Sequence, residues 1–212
     1  MRFILVRHGE TYSNTLFGTP QQMLIGALDN EQTRLNEMGK KQAEKAAESV
    51  KGYIEDSLDD IYVSDLMRSV ETAEIVFNGY KYKKDQRLRE RSLGILEGML
   101  LSDVEKNEAL KATLPDSRYD ELEICMSKKH ETGESYEDVV NRLRDFLSMF
   151  HYEEEKTVAC VSHFHTLRIF MYLVLDKPFD MKLFEISLKN SEPYVFDYID
   201  GKFQLVSGNL EI

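Results

Sequence analysis

The stretch Phe3–Thr11, FILVRHGET, decides the fold and starts the functional argument. Its four apolar residues, Phe3–Val6, predict a short buried strand. Arg7 and His8 follow where that strand ends, and Gly9 then allows a ligand to approach the backbone closely. Ligands of open α/β sheets bind beyond the carboxyl ends of the strands. The stretch therefore predicts a strand that carries an arginine and a histidine into a ligand site.

A second stretch repeats this arrangement. Thr157–Val161 predicts another buried strand, and Ser162-His163-Phe164-His165 follows at its end. Ile61–Val63 predicts a third short strand, and Asp200-Gly201 lies between two further apolar runs as a two-residue hairpin turn. Two histidines at two strand ends can therefore face each other across one cleft.

Helices are predicted between these strands. Residues 36–53 favour a helix by composition, and Ser64 is a candidate N-cap for a helix through Phe77. Ser135 and Asp138 have the spacing of a capping box that opens another helix, and residues 166–175 predict a strongly apolar one. Strands that alternate with helices indicate an α/β fold, a three-layer sandwich with a mainly parallel central sheet and helices on both faces.

Length and composition limit the remaining classes. We expect one domain over residues 1–212, with about residues 100–130 forming a small helical cap insertion. The 27 Lys and Arg against 38 Asp and Glu give a net charge of −11, which argues against nucleic-acid and anionic-membrane partners. The longest apolar stretch, Ile169–Leu175, is too short to span a bilayer. Cys125 and Cys160 are predicted to be reduced thiols of a cytoplasmic protein.

An imidazole beside a guanidinium suits phosphate chemistry. The planar fork of donors on Arg7 matches phosphate oxygens and stays charged. The same positive field disfavours protonation of His8, so one ring nitrogen remains free to act as a nucleophile.

These motifs resemble the histidine phosphatase superfamily, the phosphoglycerate-mutase-like fold. Arg7–Thr11 with Asn14 is similar to the signature of that family. Further similar segments follow in the family's order along nearly the whole chain, at Leu35–Ala43, Ser64–Ala73, Leu88–Gly98, Gly133–Asp138, Val161–His163 and Asn190.

The resemblance implies a phosphomonoester hydrolase that acts on a small phosphorylated metabolite. His8 would attack phosphorus and become a phosphohistidine. Glu90 would protonate the leaving oxygen and then activate water as general acid and base. Neutralisation by arginines would make a metal or another cofactor unnecessary.

The resemblance also assigns the phosphate-binding groups. Arg7, Arg68 and Asn14 would hold the phosphoryl oxygens. His163 would add a donor in the transition state, and the backbone N–H of Phe164 would contribute another. The family usually has a small residue in place of Phe164, so its large side chain either narrows the pocket or packs away from it.

Three alternatives stay open at the level of sequence. The first is a cofactor-dependent phosphoglycerate mutase, although the acidic insertion favours water as acceptor and monoesters over bisphosphates. The second is a catalytically inactive protein that binds a phosphorylated ligand. The third is a zinc site on His163 and His165, which would share one side of an extended segment. The long loop between Asn14 and Leu35 leaves open which residues match the family's Gly-x-x-Asp, and the choice between monomer and homodimer is equally open.

Overall fold

The computed structural model of the protein describes residues 1–54 and 58–208. Its centre is a six-stranded sheet in the order β3-β2-β4-β1-β5-β6. Neighbours from β3 to β1 are parallel, whereas β5 pairs antiparallel with both β1 and β6. The strands are β1 (Arg2–Arg7), β2 (Asp60–Val63), β3 (Lys83–Lys84), β4 (Thr157–Ser162), β5 (Pro193–Ile199) and β6 (Lys202–Ser207). The predicted mainly parallel sheet is confirmed.

The register of β1 and β4 brings the two histidine segments together. Arg7 pairs with Ser162 at the carboxyl end of both strands, and the His8 N–H donates to the Ser162 carbonyl oxygen at 3.0 Å. His8 and His163 are therefore the first residues beyond two adjacent parallel strands, as the sequence predicts.

Seven α-helices within the described residues surround the sheet. They are α1 (Glu37–Ile54), α2 (Met67–Val76), α3 (Leu101–Lys106), α4 (Glu108–Lys111), α5 (Leu122–Ser127), α6 (Tyr136–Leu147) and α7 (Phe164–Val174). Alternate residues of β1 point to opposite faces, so Ile4 and Val6 pack with α1 and α2 whereas Phe3 and Leu5 pack with α6 and α7. This alternation produces the predicted three-layer sandwich with helices on both faces.

Local signals explain most of the element boundaries. The capping box of Ser135 and Asp138 opens α6, as predicted. Asp200 and Gly201 have φ angles of 52° and 82°, the left-handed conformation that a two-residue hairpin requires, and they connect β5 to β6. Residues 100–130 contain the short helices α3, α4 and α5.

The predicted N-cap at Ser64 is wrong. Helix α2 begins at Met67, and its N-cap residue is Leu66, whose side chain makes no capping hydrogen bond. The Asp29 carboxylate, from the loop before α1, accepts from the Met67 N–H at 3.2 Å. The Ser64 hydroxyl instead lies 2.7 Å from Nε2 of His163. The last predicted helix also starts earlier than expected, at Phe164, directly after His163.

Two expectations about the wider chain can be compared with the described residues. Cys125 and Cys160 are buried free thiols. Over residues 1–54 and 58–208, no helix combines the length and the apolar character needed to cross a membrane.

Candidate active site

A cavity of about 650 Å³ opens beyond the carboxyl ends of β1 and β4. Six of the seven predicted site residues line it, namely Arg7, His8, Asn14, Arg68, Glu90 and Phe164. Apolar residues also line it, namely Met23, Leu24, Ile25, Leu93 and Leu188. The cavity therefore combines cationic groups with an apolar part of the wall.

His8 has a defined tautomer. Its Nδ1 lies 2.8 Å from the Gly9 carbonyl oxygen, which can only accept, so Nδ1 carries the hydrogen and Nε2 holds a lone pair. Burial, followed by the charges of Arg68 and Arg7, holds the pKa of His8 well below its ordinary value. The imidazole is therefore neutral at pH 7 and available as a nucleophile.

Close backbone contact fixes the loop that carries His8. A Cβ atom at Gly9 would lie 2.5 Å from the Gly39 carbonyl oxygen, and one at Gly39 would overlap the Glu10 carbonyl oxygen. Two glycines thus let the start of α1 rest directly on the end of β1. The Asn190 side-chain amide also donates to the His8 carbonyl oxygen at 2.9 Å.

Arg7 is held by groups that leave its charge available. One terminal N–H donates to the Leu188 carbonyl oxygen at 2.6 Å, and the guanidinium lies 4.8 Å from the ring centre of Phe164. Its Nε is buried and has no hydrogen-bond partner among the described residues. Burial lowers the pKa of Arg7 against the opposing field of Glu90, and the group stays charged at neutral pH.

Arg68 is oriented on three sides. Its two terminal nitrogens donate to the carbonyl oxygens of Leu28 and Gly26, at 2.8 and 2.9 Å. Its Nε donates to Nδ1 of His163 at 3.2 Å. Burial lowers the pKa of Arg68 to about 10, so the guanidinium remains a cation at neutral pH. The long loop after Asn14 thereby contributes main-chain oxygens that aim this arginine.

His163 is the one predicted site residue that does not line the cavity. The ring is fully buried behind His8, with the two ring centres 5.2 Å apart. Because Nδ1 accepts from Arg68, Nε2 carries the hydrogen and contacts the Ser64 hydroxyl. Burial and the charge of Arg68 keep its pKa well below the ordinary value. In this structure His163 orients Arg68, and its ring does not face the cavity.

Glu90 is anchored at the start of α7. Its carboxylate accepts backbone N–H groups from Arg91, His165 and Thr166, at 2.9, 3.1 and 3.2 Å. Burial raises the pKa of Glu90, but His165, these N–H groups and Arg68 together outweigh burial and lower it. The carboxylate is therefore ionised before a phosphate arrives.

Asn14 and Phe164 both lie on the cavity wall. The Asn14 side-chain oxygen accepts from the Thr11 N–H at 3.0 Å, which closes the loop around the cavity entrance. The Phe164 ring lies between two guanidiniums, 4.8 Å from Arg7 and 3.9 Å from Arg168. Its large side chain thus packs beside Arg7.

Sequence reasoning missed three contributors. Arg91 lines the cavity, Tyr136 lies beneath it, and Arg168 supports Phe164 from below. The spacing of Arg168, four residues after Phe164 in a helix, places both on one face and could have identified it. No comparable signal distinguishes Arg91 from the other charges of its segment.

The geometry also bears on the zinc alternative. That alternative needs His163 and His165 on one extended segment, but α7 begins between them. His163 contacts Ser64, whereas Nδ1 of His165 lies 2.7 Å from the Tyr136 hydroxyl. The described residues contain no group of three or more His, Cys, Asp or Glu side chains placed to hold a metal ion.

Known proteins are similar to this chain in sequence and in fold. In sequence, the chain is 36% identical over 114 residues to phosphoglycerate mutase-like protein 4 of Arabidopsis thaliana, a match that covers 51% of this chain and 45% of that protein. The chain spans less than half the length of the curated relatives it matches.

Two solved structures are similar over almost the whole chain. Bacillus stearothermophilus YhfR is 26% identical, with a TM-score of 0.77 and coverage of 97% of this chain and 95% of that one. Phosphoserine phosphatase from Entamoeba histolytica, in complex with 3-phosphoglyceric acid, is 25% identical, with a TM-score of 0.74 and the same coverage. A model of the histidine phosphatase superfamily (branch 1) matches residues 3–211. On this match, the chain belongs to the histidine phosphatase superfamily.

Proposed function

We propose that the protein hydrolyses a small phosphomonoester through a phosphohistidine on His8. The main support is the arrangement of one cavity. A neutral imidazole with a free Nε2 lies between the charges of Arg7 and Arg68, and Glu90 lines the same wall. Phosphoryl transfer depends chiefly on positioning and charge stabilisation, which these groups would provide.

In the first step, Arg7 and Arg68 hold the phosphoryl oxygens while Nε2 of His8 forms a bond to phosphorus. The ester P–O bond breaks, and Glu90 delivers a proton to the leaving oxygen. Glu90 is ionised in the free protein, so it must take up a proton as the substrate binds. A bound phosphate dianion raises the pKa of a neighbouring carboxyl, which favours this uptake.

In the second step, a water molecule replaces the leaving group. Glu90 accepts a proton from that water as its oxygen attacks phosphorus, and the N–P bond to His8 breaks. Inorganic phosphate leaves and the imidazole returns to its neutral form. We propose that His163 acts in both steps as a positioning residue, a role supported by the hydrogen bond that it accepts from Arg68.

A phosphatase differs from a mutase in transferring the phosphoryl group to water, and this is the acceptor that we propose. The similarity to a phosphoserine phosphatase at 25% identity supports hydrolysis of a small substrate. We further propose that the reaction requires no metal, that the protein is cytoplasmic, and that it has neither nucleic-acid nor membrane partners. The net charge of −11 supports the last point.

We propose that residues 100–130 form a cap over this site. Leu100 pairs with Met23, and the Leu101 N–H donates to the Gln22 carbonyl oxygen at 2.9 Å. Met23 belongs to the cavity wall, so the segment that precedes α3 is joined directly to the apolar part of the wall.

The test is release of p-nitrophenol from p-nitrophenyl phosphate in the presence of EDTA. Wild type and a His151→Ala control, which changes an exposed histidine, are expected to be active, whereas His8→Ala is expected to be inactive and folded. Equal activity of His8→Ala would contradict the proposal. Wild type that is inactive here but converts 3-phosphoglycerate with its bisphosphate primer would establish the mutase instead.

A further inference from the structure

Arg91 is a buried cation on the cavity wall that the proposed mechanism does not use. Arg91 directly follows Glu90 in the chain, and only 6% of the residue is exposed. One terminal nitrogen donates to the Glu134 carbonyl oxygen at 3.1 Å, and the guanidinium lies 4.7 Å from the ring centre of Tyr136. Its Nε is buried with no hydrogen-bond partner in residues 1–54 and 58–208.

The side chain of Arg89, two residues before Arg91, does have a carboxylate partner. It makes a two-point ion pair with Asp65, at 2.6 and 2.7 Å. The guanidinium of Arg91 forms no ion pair with a carboxylate in the described part of the chain, although its backbone N–H donates to Glu90. A buried guanidinium without a counter-charge is costly unless something else supplies one. Because Arg91 lies on the cavity wall, a negatively charged group bound in the cavity would supply this counter-charge.

His165 supplies a second donor beside Arg91. Burial lowers its pKa to about 4, so the ring is neutral at pH 7. The buried Tyr136 hydroxyl has Nδ1 of His165 as its hydrogen-bond partner, so we assign the phenol as the donor. Nε2 of His165 then carries the ring hydrogen, on a side chain that lines the cavity.

We propose that Arg91 and His165 form a leaving-group subsite that binds a carboxylate of the substrate. This inference rests on the proposed function, because Glu90 marks where the ester oxygen lies. Arg91 follows Glu90 in the chain, and His165 donates its backbone N–H to the Glu90 carboxylate at 3.1 Å. The carboxylate recognised here is therefore close to the ester oxygen, on the group that leaves.

One guanidinium charge and one neutral imidazole suit a carboxylate better than a second phosphate. A second phosphate dianion would bring two negative charges to a subsite that has a single guanidinium charge. Among the described residues that line the cavity, Arg7, Arg68 and Arg91 are the only Arg or Lys, so the two phosphate-binding arginines leave Arg91 as the single cation for a second anionic group. The subsite thus selects a singly charged anionic group.

Three substrates with one carbon skeleton test the proposal. The three differ at the carbon farthest from the ester phosphate. Glycerol 3-phosphate has a neutral alcohol there, 3-phosphoglycerate has a carboxylate, and glycerol 1,3-bisphosphate has a second phosphate. Release of inorganic phosphate gives kcat/KM for each. We expect wild type to prefer 3-phosphoglycerate over glycerol 3-phosphate by about tenfold or more, the effect of one charge-assisted hydrogen bond.

Variants then assign the preference to the subsite. Arg91→Gln is expected to remove most of this ratio, chiefly through KM for 3-phosphoglycerate, and His165→Gln is expected to reduce it severalfold. Arg91→Lys retains the charge and is expected to keep part of the ratio. Arg89→Gln is the matched control and is expected to leave the ratio unchanged. Both substrates are compared in one preparation, so the fraction of folded enzyme cancels.

The outcomes separate the subsite from the function. Equal kcat/KM for the first two substrates in wild type would overturn the subsite and leave the phosphatase intact. The highest kcat/KM for the bisphosphate would overturn the choice of a carboxylate. An unchanged ratio in Arg91→Gln would remove Arg91 from the subsite. Failure to hydrolyse all three substrates, together with p-nitrophenyl phosphate, would overturn the proposed function and this inference with it.

Discussion

His165 makes the stability of this protein depend on pH in a calculable way. Burial holds its pKa at about 4 in the folded protein, against an ordinary value of 6.5. At mildly acidic pH, His165 therefore binds a proton in the unfolded chain but not in the folded protein. The stabilising effect of a neutral His165 is complete above about pH 6.5 and is lost as the pH falls toward 4.

The size of the effect follows from these two pKa values. Lowering the pH from 7 to 5 is expected to remove about 2 kcal/mol from the free energy of unfolding through His165 alone. His8 and His163, whose pKa values are also depressed by burial, add losses of the same sign. The total stability of a domain is about 5–15 kcal/mol, so the loss is readily measured.

The assay is urea unfolding at pH 7 and pH 5 for wild type and His165→Gln. Gln can still hydrogen-bond the Tyr136 hydroxyl but does not titrate. We expect the loss between the two pH values to be about 2 kcal/mol smaller in His165→Gln than in wild type. His151→Gln, which changes an exposed histidine, is expected to behave as wild type. A pH-dependent loss of equal size in His165→Gln and wild type would refute the reasoning.

Three further predictions concern the catalytic acid, the backbone and the phosphate site. Glu90→Gln is expected to lower kcat/KM for alkyl phosphates by about 10²–10⁴-fold and for p-nitrophenyl phosphate much less, because p-nitrophenolate leaves without a proton; equal losses would count against the acid. Gly39→Ala is expected to cost about 1–3 kcal/mol in urea unfolding because its Cβ overlaps a backbone carbonyl. Gly52→Ala, in the same helix with open space around it, is expected to be neutral or stabilising, and equal effects would contradict this packing. Phe164→Leu is expected to raise the inhibition constant of inorganic phosphate about 3–10-fold by removing the ring against Arg7, and an unchanged constant would disprove that role.

Five of the six strands, four of the seven α-helices in the described residues, and the strand-end residues could be predicted because each depends on local sequence. The two-residue strand β3 was missed. Apolar runs such as Phe3–Val6 form buried strands wherever helices cover both faces of a sheet. The capping box at Ser135 and the turn at Asp200 depend on the conformations of a few neighbouring residues. These signals are complete within a short window of the chain.

The failures arose where a side chain has a distant partner. Ser64 has the residue type of an N-cap, but its hydroxyl contacts His163, which is 99 residues away in sequence. The carbonyl oxygens that orient Arg68 come from the long loop between Asn14 and Leu35, in which the sequence left the match to the family's Gly-x-x-Asp open. The Arg91 guanidinium has no ion-pair partner among the described residues, whereas Arg89, the same residue type two positions earlier, pairs with Asp65. This difference arises from the packing of the folded chain.

The central claim is that His8 carries the phosphoryl group during turnover. The direct measurement is rapid quenching of the enzyme with excess substrate into base, followed by mass spectrometry of peptides, because phosphohistidine survives base. The account predicts one phosphoryl group on the peptide that contains His8, formed within a single turnover in wild type and absent in His8→Ala. Turnover without a phosphorylated enzyme, or with the group on another residue, would contradict it.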